Sequence, residues 1–235
     1  MSTAKELHPI QASILRVLMY KPKARFSDLN VEGLSSDHFT FHVKKLLEME
    51  LIEKTDESSY CLTRSGKEFT NRFDTDVKQI VLERQAKIGV SIICTRGEEG
   101  KTEYLIQQRL KQPYYGFYGF VTGKVRWGES VHDTAARELK EETGLSATLQ
   151  LVGIEHKMDY SEEGELLEDK YFFIFRGTTA NGKLVEQFEG GRNAWYSRSE
   201  VGKLPEVFGD VEEILDVIMK GEFGFIERKF TVSKY

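Results

Sequence analysis

What this chain lacks narrows its class before any motif is weighed. Only two of its 235 residues are cysteines, Cys61 and Cys94. They lie in separate strand-like runs with no metal-binding partner near either, so a disulfide framework is excluded and two packed thiols in a reducing cytosol are expected. No apolar run approaches the roughly 18 residues of a membrane helix. The first hydrophobic segment, residues 10–20, is interrupted by Gln11 and Arg16, so neither a signal peptide nor a membrane partner is expected and the chain reads as cytoplasmic. An excess of one charge sign is missing too: the net charge is −5, and nothing global advertises a nucleic-acid binder. Internal repeats and low-complexity tracts are absent. What is present is 40% hydrophobic residues in a chain long enough for one large domain or two small ones, and the pattern favours two.

The most informative stretch is residues 123–145, GKVRWGESVHDTAARELKEETGL. Ser130 with Asp133 has the form of a capping box, Gly144 stands where a C′ glycine belongs, and Val131, Ala135 and Leu139 form an apolar stripe at helical spacing, which predicts a helix over 130–143. On that helix Glu138, Glu141 and Glu142 fall at i, i+3 and i+4, within about 5–6 Å of one another at Cβ. Three negative charges in the last turns of a helix oppose its dipole. Two readings follow: a solvated acidic face balanced by Arg137 and Lys140, or a site for a hard dication, which prefers carboxylate oxygens, waters and substrate phosphates.

The spacing across the whole stretch decides between them. Gly123, Glu129, Arg137, Glu138, Leu139, Glu141, Glu142, Gly144 and Leu145 each stand where the Nudix box defines a residue, and the stretch is identified as a Nudix box by that resemblance. The resemblance implies a Nudix α/β/α sandwich with a mixed sheet, an α/β fold, over residues 86–235. It also implies Mg²⁺ (or Mn²⁺) and hydrolysis of a diphosphate linkage in a nucleoside diphosphate derivative. Metal ligands would be Glu138, Glu141 and Glu142, with Glu141 also catalytic. Arg137 would orient a glutamate through a bidentate pair, Glu129 would support the site from the loop, and the Thr122 carbonyl would also reach a metal. Arg109 and Lys124 would bind substrate, Arg109 on a phosphate. A further carboxylate from a later loop is expected as ligand or general base, with Glu189 chosen and Glu186 next. The VTG at 121–123 resembles members that cleave nucleoside triphosphates or dinucleoside polyphosphates, and Tyr160, standing near where the resemblance to ADP-ribose enzymes would require a proline, points away from ADP-ribose.

Elsewhere in this region, strands are expected at 87–95, 102–108, 149–156, 170–176 and 194–197, and a terminal helix at 211–219. The aromatic cluster Tyr114, Tyr115, Phe117, Tyr118 and Phe120 either packs the core or offers a ring for a base to stack on. Residues 162–169 read as a solvated acidic loop.

The first 75 residues follow a different plan. A helix to about Tyr20, a short helix around 28–30 capped by Ser27, a helix from about Ser36 to Met49 and a hairpin at 51–54 and 59–63 are expected. That order is the order of a winged helix-turn-helix. The stretch LSSDHFTFHVKKLLEMELIEK followed by YCLTRSGKEF resembles the recognition helix and wing of ArsR/MarR-type regulators. The resemblance implies that Ser36, His38, Thr40, Phe41 and Lys44 face double-stranded DNA, with Lys45 and Arg64 on phosphates. The alternative is a module kept for dimerisation or protein contacts, because residues 1–75 carry 11 Lys or Arg against 11 Asp or Glu. A connecting segment over 76–85, helical from about residue 70, would join this small α+β domain to the second. Two organisations of function follow: a hydrolase with an accessory winged helix, or a transcriptional regulator whose second domain senses a nucleotide metabolite. A homodimer is expected in either case.

Overall fold

The computed structural model describes residues 7–55, 58–71, 85–98, 100–220 and 223–235. The chain forms two units, one up to Arg84 and one from Gln85. The first opens on α1 (Pro9–Tyr20), where Pro9 takes a first-turn position that needs no N–H donor. His8 caps it: its Nδ1 accepts from the Ile10 amide at 3.3 Å, and the Gln11 side chain returns to the His8 amide at 3.0 Å. There follow β1 (Ala24–Arg25), α2 (Phe26–Leu29), α3 (Ser36–Glu48), β2 (Ile52–Lys54), β3 (Ser59–Leu62) and α4 (Arg64–Thr70), with the strands in the antiparallel order β1-β3-β2. Ile14, Leu15 and Leu18 of α1 meet Phe39, Val43 and Leu46 of α3 in one core, closed by Leu29, Leu51, Ile52 and Leu62.

Two expectations for this unit are corrected. The short helix starts at Phe26, and its entry is held by the Asp28 carboxylate accepting from the Arg25 amide at 3.2 Å rather than by Ser27. Arg64 does not sit on a wing: it opens α4, capped by the Thr63 hydroxyl, which accepts from the Gly66 amide. The helix expected to run on from residue 70 falls on 72–84, outside the described residues.

The second unit contains β4 (Lys87–Arg96), β5 (Glu103–Arg109), β6 (Tyr118–Gly119), β7 (Val121–Lys124), α5 (Val131–Thr143), β8 (Ser146–Tyr160), β9 (Leu166–Asn181), β10 (Gln187–Phe188), β11 (Gly191–Ser197), α6 (Arg198–Val201), α7 (Val211–Lys220) and β12 (Gly224–Thr231). The mixed sheet runs β10-β11-β5-β4-β9-β8-β12, with β6 on β5 and β7 on β4. Strand alternation sends Val90, Ile92 and Cys94 of β4 to one face, where they pack with Ala135 and Leu139 of α5. It sends Ile93 to the other, with Ile214 and Leu215 of α7. The fold is thus α/β, a mixed sheet between helices.

β8 and β9 are far longer than expected, pairing antiparallel from Ser146↔Asn181 to Tyr160↔Leu166. The acidic loop consequently shrinks to a turn after Tyr160, and Glu168 is buried inside β9 instead of solvated. β12, unexpected from the sequence, lies parallel to β8 with Gly224 opposite Gly153. Among the described residues no helix is long and apolar enough to cross a membrane, and both cysteines are free thiols.

Candidate functional site

The helix α5 is fixed at both ends by local chemistry. The Ser130 hydroxyl accepts from the Asp133 amide at 3.1 Å, and Gly144 takes the left-handed conformation at φ 72°. Ala135 and Leu139 are fully buried and set the rotation of the helix. Glu138 and Glu142, one turn apart, are thereby carried to the lining of a 470 Å³ cleft. Glu141 points elsewhere: its side chain is 51% exposed and takes Arg137 Nη1 at 3.2 Å and Arg126 Nη2 at 3.5 Å. The three glutamates therefore do not converge, and among the described residues no group of three or more His, Cys, Asp or Glu is arranged to hold a metal.

Arg137 is the hub of the helix-loop junction. Its Nε and Nη2 grip Glu129 Oε1 and Oε2 at 2.7 and 2.8 Å, a bidentate fork. Nη1 reaches Glu138 Oε1 at 2.6 Å, and Nη2 also donates to the Lys124 carbonyl at 3.3 Å. Hydrogen bonds from Arg137 hold the Glu129 carboxyl down to about 2, and the Thr134 hydroxyl adds a bond at 2.7 Å. One guanidinium thus ties the loop to the helix. Glu142 stands differently: burial raises its carboxyl above the usual range, opposed by the bond from Gln107 Nε2 at 3.0 Å, and Lys111 lies 3.9 Å away.

Other expected residues are placed as follows. Arg109 lines the cleft, but its Nε donates to the Pro113 carbonyl at 2.5 Å and Nη2 to that of Gln112 at 3.3 Å, so the guanidinium braces the 112–114 loop. Lys124 and Thr122 line the cleft too. Glu189 does not: it sits exposed in the two-residue turn between β10 and β11, and Glu186 is exposed beside it. Of the aromatic cluster, Tyr114 and Phe120 are buried and line the cleft, whereas Tyr115 is exposed.

The sequence reading missed the other side of the cleft. Lys87, Lys170 and Lys157 stand opposite one another across β4, β9 and β8, and in the next row Glu168 opposes Asp159. These charged side chains are paired: Lys87 with Glu168 at 2.5 Å, Lys170 with Asp159 at 3.5 Å and Lys157 with Asp210 at 2.8 Å. Burial depresses the Lys157 ammonium, but Asp210, Asp159 and Glu155 outweigh it and hold it above its ordinary value. The available signal was the i, i+2, i+4 spacing of Glu155, Lys157 and Asp159, which a strand turns to one face.

A divalent metal is the group that the acidic face of α5 suggests, and its donor set fits one. Mg²⁺ is commonly held by one or two carboxylates, with waters and substrate phosphates completing its shell. Glu138 and Glu142 supply two carboxylates on the cleft, and Glu138 raises the Glu142 carboxyl further by direct repulsion.

In the first unit α3 exposes Ser36, His38, Phe41, Lys44 and Lys45, while Thr40 is half-buried with its hydroxyl on the Ser36 carbonyl at 2.6 Å. Lys45 pairs with Glu48 at 2.6 Å and Arg64 with Glu68 at 3.2 Å. His42 is buried against His8 and His38, with ring centroids at 4.5 and 5.4 Å.

Comparison with known proteins places this geometry in context. The model of the NUDIX domain matches residues 86–216, more than half of the chain. The chain is 32% identical over 125 residues to the Nudix hydrolase YvcI of Bacillus subtilis, spanning 53% of this chain and 77% of that protein. It is 24% identical over 168 residues to the ADP-ribose pyrophosphatase of Methanocaldococcus jannaschii, spanning 70% and 93%. The crystal structure of the MutT protein of Bacillus halodurans superposes with a TM-score of 0.53 at 25% identity, over 63% of this chain and 93% of that one. The NUDIX domain of Shewanella oneidensis NrtR, solved with ADP-ribose, gives 0.51 at 15% identity over 68% and 99%, a likeness of fold.

Proposed function

The chain belongs to the Nudix family and is a Nudix hydrolase; from that premise we propose that it is a Mg²⁺- or Mn²⁺-dependent pyrophosphohydrolase acting on a nucleoside diphosphate derivative. The observation that carries this reading is the pair Glu138 and Glu142, facing a cleft that Lys87, Arg109, Lys111, Lys124, Lys157 and Lys170 line together with Glu155, Glu168 and Asp210. Such a surface suits a polyanion that arrives with a dication. When bound, the metal supplies Lewis-acid polarisation of phosphate oxygens and a lowered water pKa. The chain's own residues do the rest. Lys111 and Lys124 meet phosphate oxygens; Arg109 holds the 112–114 wall and adds positive potential. Glu141, exposed and held between Arg126 and Arg137 on the helix that carries Glu138 and Glu142, takes up the proton lost by the attacking water. Arg137 fixes Glu129 and Glu138 so that neither has to reorganise during the reaction.

Nucleoside triphosphates and dinucleoside polyphosphates are the substrates favoured by the VTG at 121–123. The relative from Methanocaldococcus jannaschii, an ADP-ribose pyrophosphatase, makes ADP-ribose the competing candidate. A turnover panel of 8-oxo-dGTP, the common NTPs, dinucleoside polyphosphates, ADP-ribose and nucleotide sugars, with Mg²⁺ or Mn²⁺, is expected to single out one class. Inactivity of the folded chain toward every member overturns the reading.

For the first unit we propose a winged helix that binds double-stranded DNA as a homodimer in the cytoplasm, making the chain a regulator as well as an enzyme. The exposed row Ser36, His38, Phe41, Lys44 and Lys45 on α3, beside the β2–β3 hairpin, favours this second reading. Operator-length duplex should bind with an affinity that falls as salt rises, and Lys44→Ala should reduce the salt slope by about one. Binding that is absent, or indifferent to salt, sinks the regulator.

A further inference from the structure

The two oxygens of Glu142 are held unequally. Oε2 accepts from Gln107 Nε2 at 3.0 Å, whereas Oε1 takes no hydrogen bond among the described residues and has Lys111 Nζ as its ion partner at 3.9 Å. Behind Gln107 stands Asn193, directly opposite it in the β5–β11 ladder and only 3% exposed. Both side chains point to the α5 face of the sheet, as Leu105 and Trp195 do two residues along the same strands. Gly191, the next residue of β11 on that face, leaves the room for this: a Cβ there would lie 3.1 Å from Gln107 Cγ.

What each amide faces dictates which way it turns. Asn193 Nδ2 donates to the Glu142 carbonyl and to the Val185 carbonyl, each at 2.8 Å. Carbonyl oxygens only accept, so the Asn193 nitrogen must lie on that side and its Oδ1 on the other. Oδ1 meets Gln107 Nε2 at 3.2 Å and so requires a donor from Gln107. Once one N–H of Gln107 is given to Asn193, the second is left for Glu142 Oε2. A flip of either amide would set oxygen against oxygen. Asn193 therefore holds Glu142 twice, by its main chain directly and by its carboxylate through Gln107. The anchor itself is tied down on both sides: the Asn193 N–H donates to the Glu186 carbonyl at 2.8 Å, and that of Val185 to the Thr143 carbonyl at 2.9 Å.

We propose that Asn193, acting through Gln107, is a positioning residue for the metal-binding carboxylate: it commits Glu142 Oε2 to the protein and leaves Oε1 for the dication. This assignment deepens the hydrolase reading and rests on it for the nature of the cation. The last torsion of a glutamate is broad, so a carboxylate without this donor would not keep one oxygen in one place. Hydrogen bonds that orient a ligating side chain are worth about 10–100-fold in metal affinity or activity. The sequence gives no local sign of the relay, because Gln107 and Asn193 are 86 residues apart and meet only through the β5–β11 register.

The test uses the full chain as wild type, Gln107→Leu, Asn193→Ala and the double variant, with Glu142→Gln as the control that lacks the ligand. Leu at 107 continues the apolar row begun by Leu105, so Gln107→Leu should fold and melt near the wild type without metal. Mn²⁺ binding, with and without α,β-methylene-ATP, is read by electron paramagnetic resonance. Both single variants should weaken it by about 10–100-fold, and the double variant should be no weaker than the weaker of the two. In turnover, the Mg²⁺ concentration for half-maximal rate should rise by the same factor, while substrate KM at saturating Mg²⁺ stays unchanged. Wild-type Mn²⁺ affinity in Gln107→Leu overturns the proposal. Additive losses in the double variant do so too, because Asn193 then acts through the backbone of α5 and not through Gln107. If Asn193→Ala fails to fold, the side-chain amide N–H signals of the wild type decide: those of Gln107 and Asn193 should exchange slowly and shift together when Mg²⁺ is added, and an Asn193 signal indifferent to Mg²⁺ overturns its role. Mn²⁺ binding that depends on both residues in a chain that hydrolyses no nucleotide keeps the assignment and removes the hydrolase reading. Mg²⁺-dependent hydrolysis with Mn²⁺ affinity indifferent to both does the reverse, and a chain that binds no Mn²⁺ under either condition removes both.

Discussion

Glu142→Gln is expected to lower kcat by at least about 10³-fold, with the folded state kept, because a lost metal ligand forfeits several kcal/mol of charge stabilisation in the transition state. Gln is nearly isosteric with Glu, and the amide can still meet Gln107, which lies 3.0 Å from the Glu142 carboxylate. The native carboxyl is already raised by burial, so removing its charge relieves a desolvation cost in the free protein. Thermal stability without metal should therefore stay level or rise slightly. The loss should appear in Mg²⁺ binding, read by the metal concentration for half-maximal turnover and by calorimetry, and in kcat. Glu141→Gln provides the contrast. That side chain is half exposed, outside the cleft lining and tied to Arg137 and Arg126, so its replacement should leave Mg²⁺ affinity nearly intact while turnover falls. Equal losses of metal affinity in the two variants would refute the division of labour drawn from the cleft. Wild-type turnover in both would refute the site.

The difference between those two glutamates shows what the sequence could and could not say. A capping serine, a C-terminal glycine and an i, i+4, i+8 stripe determine α5 almost to the residue, because each is a local interaction within one or two turns. Local spacing puts Glu138, Glu141 and Glu142 on adjoining parts of the helix surface. It does not say which of them meets the cleft, since that depends on how Ala135 and Leu139 seat against the sheet. The lysine row was hidden for a stronger reason. A charged residue in alternation within a strand reads as a solvent-facing one. Lys157 and Glu168 become a buried network only because β8 and β9 extend far past their apolar centres and bring opposite charges into register. Glu155 was invisible on the same ground, and Ile226 of β12, opposite it, shows how an edge strand closes over the residues that the pattern marked as exposed.

Gly123→Ala should cost about 10²-fold in kcat/KM although it adds a single methyl group to the cleft lining. Gly123 does not occupy the left-handed region, so backbone freedom is not what the site demands of it. Space is: an added Cβ would lie 2.0 Å from Glu138 Cγ, 2.2 Å from Cδ and 2.5 Å from Oε1. β7 and α5 are both anchored, by Val121 on one side and by Ala135 and Leu139 on the other, all fully buried. The flexible member is the Glu138 side chain, which must swing away. In doing so it leaves the cleft and breaks the bond to Arg137 Nη1 at 2.6 Å, while the Glu129 fork on the same guanidinium survives. Displacing one catalytic group by about an ångström is enough for a loss of this size. The stability cost should remain within about 1–3 kcal/mol, the usual range for one extra methyl in a packed site. A double-mutant cycle isolates the cause. Gly123→Ala made in a Glu138→Ala chain, where the obstructing atoms are gone, should cost little further stability or activity, giving a coupling energy above about 1 kcal/mol between the two positions. Additive effects would mean that Gly123 acts through the β7 backbone and not through Glu138, and full activity in the single variant would show that Glu138 is not needed where the structure holds it.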